Sequence, residues 1–227
     1  AGAAEDGSPA GCGGENQGMR FDLYIFDLDG TLVDTLEIWN EISLAFLARF
    51  GIVPTEQEIR AMDTMTFQEG SDYLRGHFGL PLSAEGLSEA WMETATEIFD
   101  SRVQLMPGAL ETLHVLRGRG AKLVIFSQSP RRLVEGMLDR LGLARAVDAV
   151  LLAGETTFPK GDERAFAEIA QKFETPLSRT AAVDDSPYAL EAAKRAGVYC
   201  CAMIYRNKHA KQAAAIADET VEALWSL

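Results

Sequence analysis

Positive charge is scarce in this 227-residue chain: 21 Lys plus Arg stand against 34 Asp plus Glu, a formal net charge of −13 at pH 7. Nucleic-acid binders take their affinity from Lys and Arg neutralising phosphates, so the balance excludes that class, and it argues equally against docking on an anionic membrane. Cysteine is scarce too. Cys12 and the neighbours Cys200 and Cys201 do not make a disulfide framework, and the adjacent pair reads as small buried hydrophobes in a reducing compartment. No apolar run approaches the roughly 18 residues that a membrane-spanning helix needs. A cytoplasmic protein is therefore expected. Residues 1–18 lack apolar periodicity and carry Gly2, Gly7, Gly11, Gly13, Gly14 and Gly18. With no basic start leading into an apolar stretch they do not read as a secretory signal. They read as a flexible tail or an expression remnant, with Met19 a candidate natural start.

The remainder has the composition of an ordinary globular protein, 47% hydrophobic and 24% charged. Its length suits one domain, or one domain carrying an insertion. Short, nearly all-apolar runs predict buried strands at 21–26, 122–126, 149–152, 180–183 and 198–203, with helices over about 109–118, 130–141, 162–174 and 187–196. Strands of that kind alternating with helices predict an α/β fold, a Rossmann-like parallel sheet covered on both faces. The alternation breaks between about Leu36 and Val103, where four helices and no strand are predicted. The first covers 36–50 and stops at Gly51. Thr55-Glu56-Gln57-Glu58 and Thr66-Phe67-Gln68-Glu69 are capping-box sequences that mark two more starts, and a fourth helix runs from Ser83 to about Asp100. The expected organisation is a core of residues 19–35 and 104–227, with 36–103 an all-helical cap domain placed over one end of the sheet.

The chemistry gathers at the strand ends. Asp27 and Asp29, in Phe26-Asp27-Leu28-Asp29-Gly30-Thr31, are two residues apart, so an extended backbone turns both carboxylates to one side. They stand where open α/β sheets bind ligands. Alone, such a pair is ordinarily a capping turn. A second acidic pair, Asp184 and Asp185, ends the fourth strand ahead of Ser186-Pro187. Two acidic pairs on strand ends repel one another unless a cation joins them, and together they suggest an oxygen-ligand site for a hard ion such as Mg²⁺. Ser127 ends the second core strand, where Ser129-Pro130 reads as a helix cap and first residue, and a hydroxyl with free backbone N–H groups there suits phosphate oxygens. Lys160, just before a helix, adds one fixed positive charge.

In order and spacing, Asp27-Leu28-Asp29-Gly30-Thr31, Ser127, Lys160 and Asp184-Asp185 resemble the four motifs of the haloacid dehalogenase (HAD) superfamily, over about 19–227. The helical insertion resembles the cap of the subfamily that includes phosphoglycolate phosphatase and β-phosphoglucomutase. The resemblance implies that Asp27 is the nucleophile that forms an aspartyl-phosphate. It implies that Asp29 protonates the leaving alkoxide and then deprotonates water, that Ser127 holds the phosphoryl group, and that Lys160 holds Asp27 and the phosphoryl charge. Mg²⁺ would be bound by Asp27, the backbone carbonyl of Asp29, Asp185 and Asp184, the last directly or through water. Leu28, Gln128 and, on the cap loop 62–67, Thr64 are the candidate substrate contacts. Trp39, His77, Arg131 and Arg132 are secondary candidates for which packing or a solvated helix start is the plainer role.

Two departures stand out. Many relatives continue the lysine motif as Lys-Pro-x-Pro, where this chain has Lys160-Gly161-Asp162-Glu163, and Ala189 stands where many carry a later acid. Asp29 argues against a dehalogenase, which needs no acid there. The absence of Lys between Leu36 and Val103 argues against a phosphonatase that uses a cap lysine. The expected activity is Mg²⁺-dependent hydrolysis of a small phosphorylated metabolite by a monomer or homodimer. A phosphomutase is the alternative, and a non-catalytic phosphate-binding protein comes third.

Overall fold

The computed structural model describes residues 20–62 and 67–227. In chain order its strands are β1 (Leu23–Phe26), β2 (Val33–Asp34), β3 (Gln104–Leu105), β4 (Lys122–Phe126), β5 (Ala149–Leu151), β6 (Thr180–Asp184), β7 (Tyr199–Met203) and β8 (Glu219–Val221). Six of them form one parallel sheet in the order β5-β4-β1-β6-β7-β8, and β2 pairs antiparallel with β3 in a small separate ribbon. The helices are α1 (Ile38–Ala48), α2 (Glu56–Met62), α3 (Phe67–His77), α4 (Ala84–Arg102), α5 (Ala109–Gly118), α6 (Arg131–Arg140), α7 (Leu143–Ala146), α8 (Glu163–Lys172), α9 (Pro187–Ala196) and α10 (Ala210–Ile216).

The sheet is buried on both sides because its strands alternate between two cores. Tyr24, Phe26, Leu123, Ile125, Ala181 and Val183 face one core with residues of α5 and α6. Leu23, Ile25, Val124, Phe126 and Ala182 face the other with Phe166 and Ile169 of α8 and Leu190 of α9. This two-residue period, with both phases apolar, is why the strands read as unbroken hydrophobic runs. Connections from β1 lead to β4 and β5 on one side, and those from β6 lead to β7 and β8 on the other. The order therefore reverses between β1 and β6, and a crevice opens at their carboxyl ends.

Helices α1–α4 fall between β2 and β3. Part of this insertion has a core of its own, around Phe46, Leu47, Leu80 and Leu87. The Thr55 capping box forms: Glu58 N–H donates to Thr55 Oγ1 at 3.3 Å, and Thr55 N–H to Glu58 Oε2 at 2.6 Å. Ser83 caps α4 through a 3.1 Å bond from Gly86 N–H. Thr66, the other expected cap, lies outside the described residues. Helix α4 is fastened along α6. Arg132 pairs with Glu89, Asp100 lies so close to Gly136 that a Cβ there would meet its Oδ1 at 2.5 Å, and Arg140 donates to the carbonyls of Phe99 and Val103.

Strand β8 and helix α10 have no counterpart in the sequence reading. Glu219-Thr220-Val221 is an edge strand too short and polar to show an apolar run, and Ala-rich α10 buries only Ala213. Phe166, nearly inaccessible and edge-on to Phe126 at 5.7 Å, ties α8 to β4. Phe166→Ala is expected to cost about 3–5 kcal/mol of unfolding free energy, measured by denaturant titration.

Candidate active site

Asp27 is the first residue past β1, and its N–H still donates to Val183 O at 2.9 Å, so the ladder aims its side chain into the crevice. The chain then turns sharply, with the Leu28 carbonyl accepting from the N–H groups of Leu32 and Val33 at 2.9 and 3.0 Å. Gly30 makes the turn at φ +77°, a left-handed conformation, and a Cβ on it would lie 2.5 Å from Asp185 Oδ2. Both backbone and space thus require glycine there. Leu28 itself is wholly buried among core side chains, so its side chain does not offer the substrate contact expected of it.

Lys160 reaches the same point from the turn that precedes α8. Its ammonium, 2% exposed, bridges Asp27 Oδ1 and Asp184 Oδ2, the latter at 2.7 Å, and lies 5.7 Å from the centre of the Phe126 ring. Burial alone would depress this lysine's pKa, but the carboxylates of Asp184 and Asp27 outweigh it and leave it raised and charged. Pro159 opens the turn, its carbonyl accepting from Asp162 N–H at 2.9 Å, but no proline follows the lysine. Instead Arg195 Nη2 donates to Gly161 O at 3.1 Å, the Tyr188 ring packs over Gly161, and Asp162 caps α8 by accepting from Arg164 N–H at 2.9 Å.

Carboxylate oxygens of Asp27, Asp184 and Asp185 all lie within 4.8 Å of one another. Burial, opposed by Lys160, holds the Asp27 carboxyl well above the usual range, and burial with Asp184 nearby raises Asp185 to about 6. One ammonium among three clustered carboxylates leaves negative charge in a site of low polarity. Only oxygen donors are offered, so the set fits a hard divalent cation.

Asp29 stands apart from that cluster. Its Oδ2 accepts from Ser129 Oγ at 2.8 Å, and its Oδ1 is buried with no hydrogen-bond partner among the described residues. Burial raises its pKa against that hydrogen bond, the nearby Thr35 and Ser127 hydroxyls and the Lys160 charge, which favours the protonated acid. Ser129 was expected to cap a helix. In the structure Pro130 occupies the cap position, α6 starts at Arg131, and the Ser129 hydroxyl goes to Asp29. Its place two residues beyond Ser127 gave the only sequence hint, because a pairing across a hundred residues leaves no local pattern. Ser127, 2% exposed, accepts from Ser129 N–H at 3.0 Å and keeps its own hydroxyl proton to donate.

Gln128 is exposed at the rim, and Thr64 lies outside the described residues. Arg131 is held by Glu155 at 2.7 Å and Arg132 by Glu89. Trp39 stacks on Trp91 with ring centres 6.2 Å apart, and His77 stacks on Tyr73 at 4.8 Å while bonding Glu58 at 2.6 Å. All four of these secondary candidates are thus engaged by neighbouring side chains.

A buried lysine among carboxylates at the switch point of a doubly wound sheet, in a chain that carries a helical insertion, defines an α/β enzyme with an acidic crevice. The haloacid dehalogenase-like hydrolase profile matches residues 24–203, and the chain belongs to that family. Within it the protein is a phosphatase. It is 30% identical over 213 residues to a phosphoglycolate phosphatase of Pseudomonas fluorescens, covering 90% of this chain and 76% of that one. It is 25% identical over 174 residues to a phosphorylated carbohydrates phosphatase of Thermotoga maritima, covering 77% and 81%. A solved T. maritima structure, provisionally described as a β-phosphoglucomutase, shares the fold with a TM-score of 0.80 at 23% identity, covering 88% of this chain and 94% of that one.

Gly30→Ala tests how closely the turn and the acids are fitted. The left-handed φ predicts a loss of about 1–2 kcal/mol in stability. The displaced Asp185 predicts a fall of about tenfold or more in phosphate release, read beside a circular dichroism spectrum that stays that of the parent.

Proposed function

We propose that the protein is a Mg²⁺-dependent phosphomonoester hydrolase that acts on a small phosphorylated metabolite in the cytoplasm through an aspartyl-phosphate on Asp27. The observation that carries this reading is the pairing of roles in one crevice. Asp27 is fixed and charge-balanced by Lys160, while Asp29 is held by Ser129 with one oxygen buried and unpartnered. That is the arrangement needed for a nucleophile and a separate proton donor.

In the first step an Asp27 carboxylate oxygen attacks phosphorus. The bond from phosphorus to the ester oxygen breaks, and the departing alkoxide takes the proton of Asp29. In the second, the Asp29 carboxylate removes a proton from water as that water attacks the phosphorus. Phosphate leaves and the Asp27 carboxylate is restored. Lys160 and the Ser127 hydroxyl balance the charge on the phosphoryl oxygens in both steps. Asp27, Asp184, Asp185 and the Asp29 carbonyl would hold Mg²⁺, which when bound offsets the repulsion between a carboxylate and a phosphate dianion. We assign residues 36–103 as a cap that keeps bulk water from Asp29, over a core of 19–35 and 104–227, with Gln128 and the Leu28 main chain facing the substrate.

Phosphate release from phosphoglycolate, sugar phosphates, nucleotides and aryl phosphates tests the proposal. Release is expected to stop with EDTA and return with Mg²⁺. Asp27→Asn is expected to lower it on the order of 10⁴-fold or more while the protein stays folded. Isomerisation of β-glucose 1-phosphate with little phosphate release would replace this reading with the mutase one. Binding of phosphate esters with no turnover would point to the non-catalytic one.

A further inference from the structure

The β6–β7 ladder ends one residue too early to hold the whole acidic loop. Its last pair is Asp184 with Ala202, so the sheet fixes Asp184 and leaves the next peptide, that of Asp185, without a rung. Two hydrogen bonds within 184–186 shape the loop from inside, Ser186 N–H to Asp184 Oδ1 at 2.9 Å and Ser186 Oγ to Asp185 Oδ1 at 3.0 Å. Neither ties it to another element.

Asn207 does. It lies in the loop between β7 and α10, and its side-chain amide supplies the missing connection. Nδ2 donates to Asp185 O at 2.7 Å and to Met203 O at 3.0 Å, while Oδ1 accepts from His209 N–H at 2.7 Å. Both donor positions and the carbonyl of the amide are used, so the side chain has one orientation. Its two donor contacts link the residue just past the end of β6 to the last residue of β7, where the next rung of a ladder would lie. On the opposite side Gly30 closes against Asp185 Oδ2, so the Asp185 side chain is set between a turn that admits no Cβ and a backbone clamped from behind. The preceding residue, Arg206, takes a left-handed backbone conformation at φ +50° and sends its side chain the other way, to Glu37 at 3.1 Å.

We propose that Asn207 is a positioning residue for Asp185: it holds the Asp185 peptide where the sheet stops, and so sets the direction from which that carboxylate meets a divalent cation. The proposal rests on reading Asp27, Asp184 and Asp185 as the cation site. A half-buried amide bonded to the main chain of a ligand acts on metal affinity rather than on the organic part of the substrate. Changes to groups that orient ligands lower affinity by about 10–100-fold.

The test is calorimetric titration of Mg²⁺ into the wild-type protein, Asn207→Ala, Asn207→Asp and, as a control in the same loop, the exposed Lys208→Ala. Asn207→Ala is expected to weaken Mg²⁺ binding by about 10–100-fold and to shift the Mg²⁺ dependence of phosphate release equally. At saturating Mg²⁺ the KM for an aryl phosphate should stay within about twofold of wild type, and Lys208→Ala should match wild type throughout. Asn207→Asp guards against simple misfolding. It keeps the shape and the acceptor for His209 N–H, has no N–H to give Asp185, and adds a negative charge that by itself would strengthen cation binding. Weakened binding in this variant too would support a positional role. Unchanged or tighter Mg²⁺ binding in Asn207→Asp would overturn it, as would a less stable Asn207→Ala whose Mg²⁺ affinity equals wild type. If the wild-type protein itself takes up no Mg²⁺, the cation reading fails and the proposal goes with it.

Discussion

Carboxylates crowded into a buried crevice around one ammonium impose a condition that much of the surrounding structure answers. Asp27, Asp184 and Asp185 come from two neighbouring strand ends, and their mutual repulsion would spread them unless each were held. The holding is distributed. Lys160 bridges two of the acids, the Gly30 turn leaves no room for the third to swing, and the backbone behind it is bonded by Asn207. Asp29 stands outside the same cluster, bonded by Ser129, and its burial favours the protonated acid. Two acids two residues apart thereby acquire different chemistry, because one faces a lysine and the other a hydroxyl in a dry environment.

The same condition explains where sequence tolerance lies. Beyond Lys160 the chain has Gly161 rather than a stiff residue, yet the turn is held by Arg195 and Tyr188, which lie two turns of α9 apart and face the same peptide. Helix α9 starts directly after the acidic loop, so one rigid element positions both the Asp184–Asp185 pair and the peptide that follows the lysine. Local stiffness in the chain and packing from a neighbouring helix are interchangeable solutions here.

Much of the architecture was legible in the residues themselves. The sheet strands other than β8 showed as apolar runs because both their faces are covered, and the break in alternation marked α1–α4. The Thr55 box and Ser83 marked helix starts that the structure places where expected. The strand-end acids and Ser127 were singled out through position as much as identity, since each lies where a buried run gives way to polar residues, and Lys160 through its place just before a helix. What stayed hidden shares one property. The Ser129–Asp29 bond, the Asn207 clamp and the Arg132–Glu89 pair join residues far apart in sequence, and each residue alone is an ordinary turn or helix residue. Strand β8 escaped for a different reason: an edge strand beside a covered sheet needs little apolar character.

The place of β1 at the middle of the sheet also bears on how the chain acquires its structure. Leu23 pairs with Lys122 on one side and with Thr180 on the other, so the first strand made has no neighbours until most of the chain exists. Such long-range pairing is intrinsically slow, because loop closure precedes its reward. During synthesis the helical insertion, with its own small core, can organise early. The strand that carries Asp27 waits for β4 and then β6. The crevice is therefore among the last parts of the molecule to form, and a ribosome-bound chain that stops short of β6 holds its first acidic pair without the second.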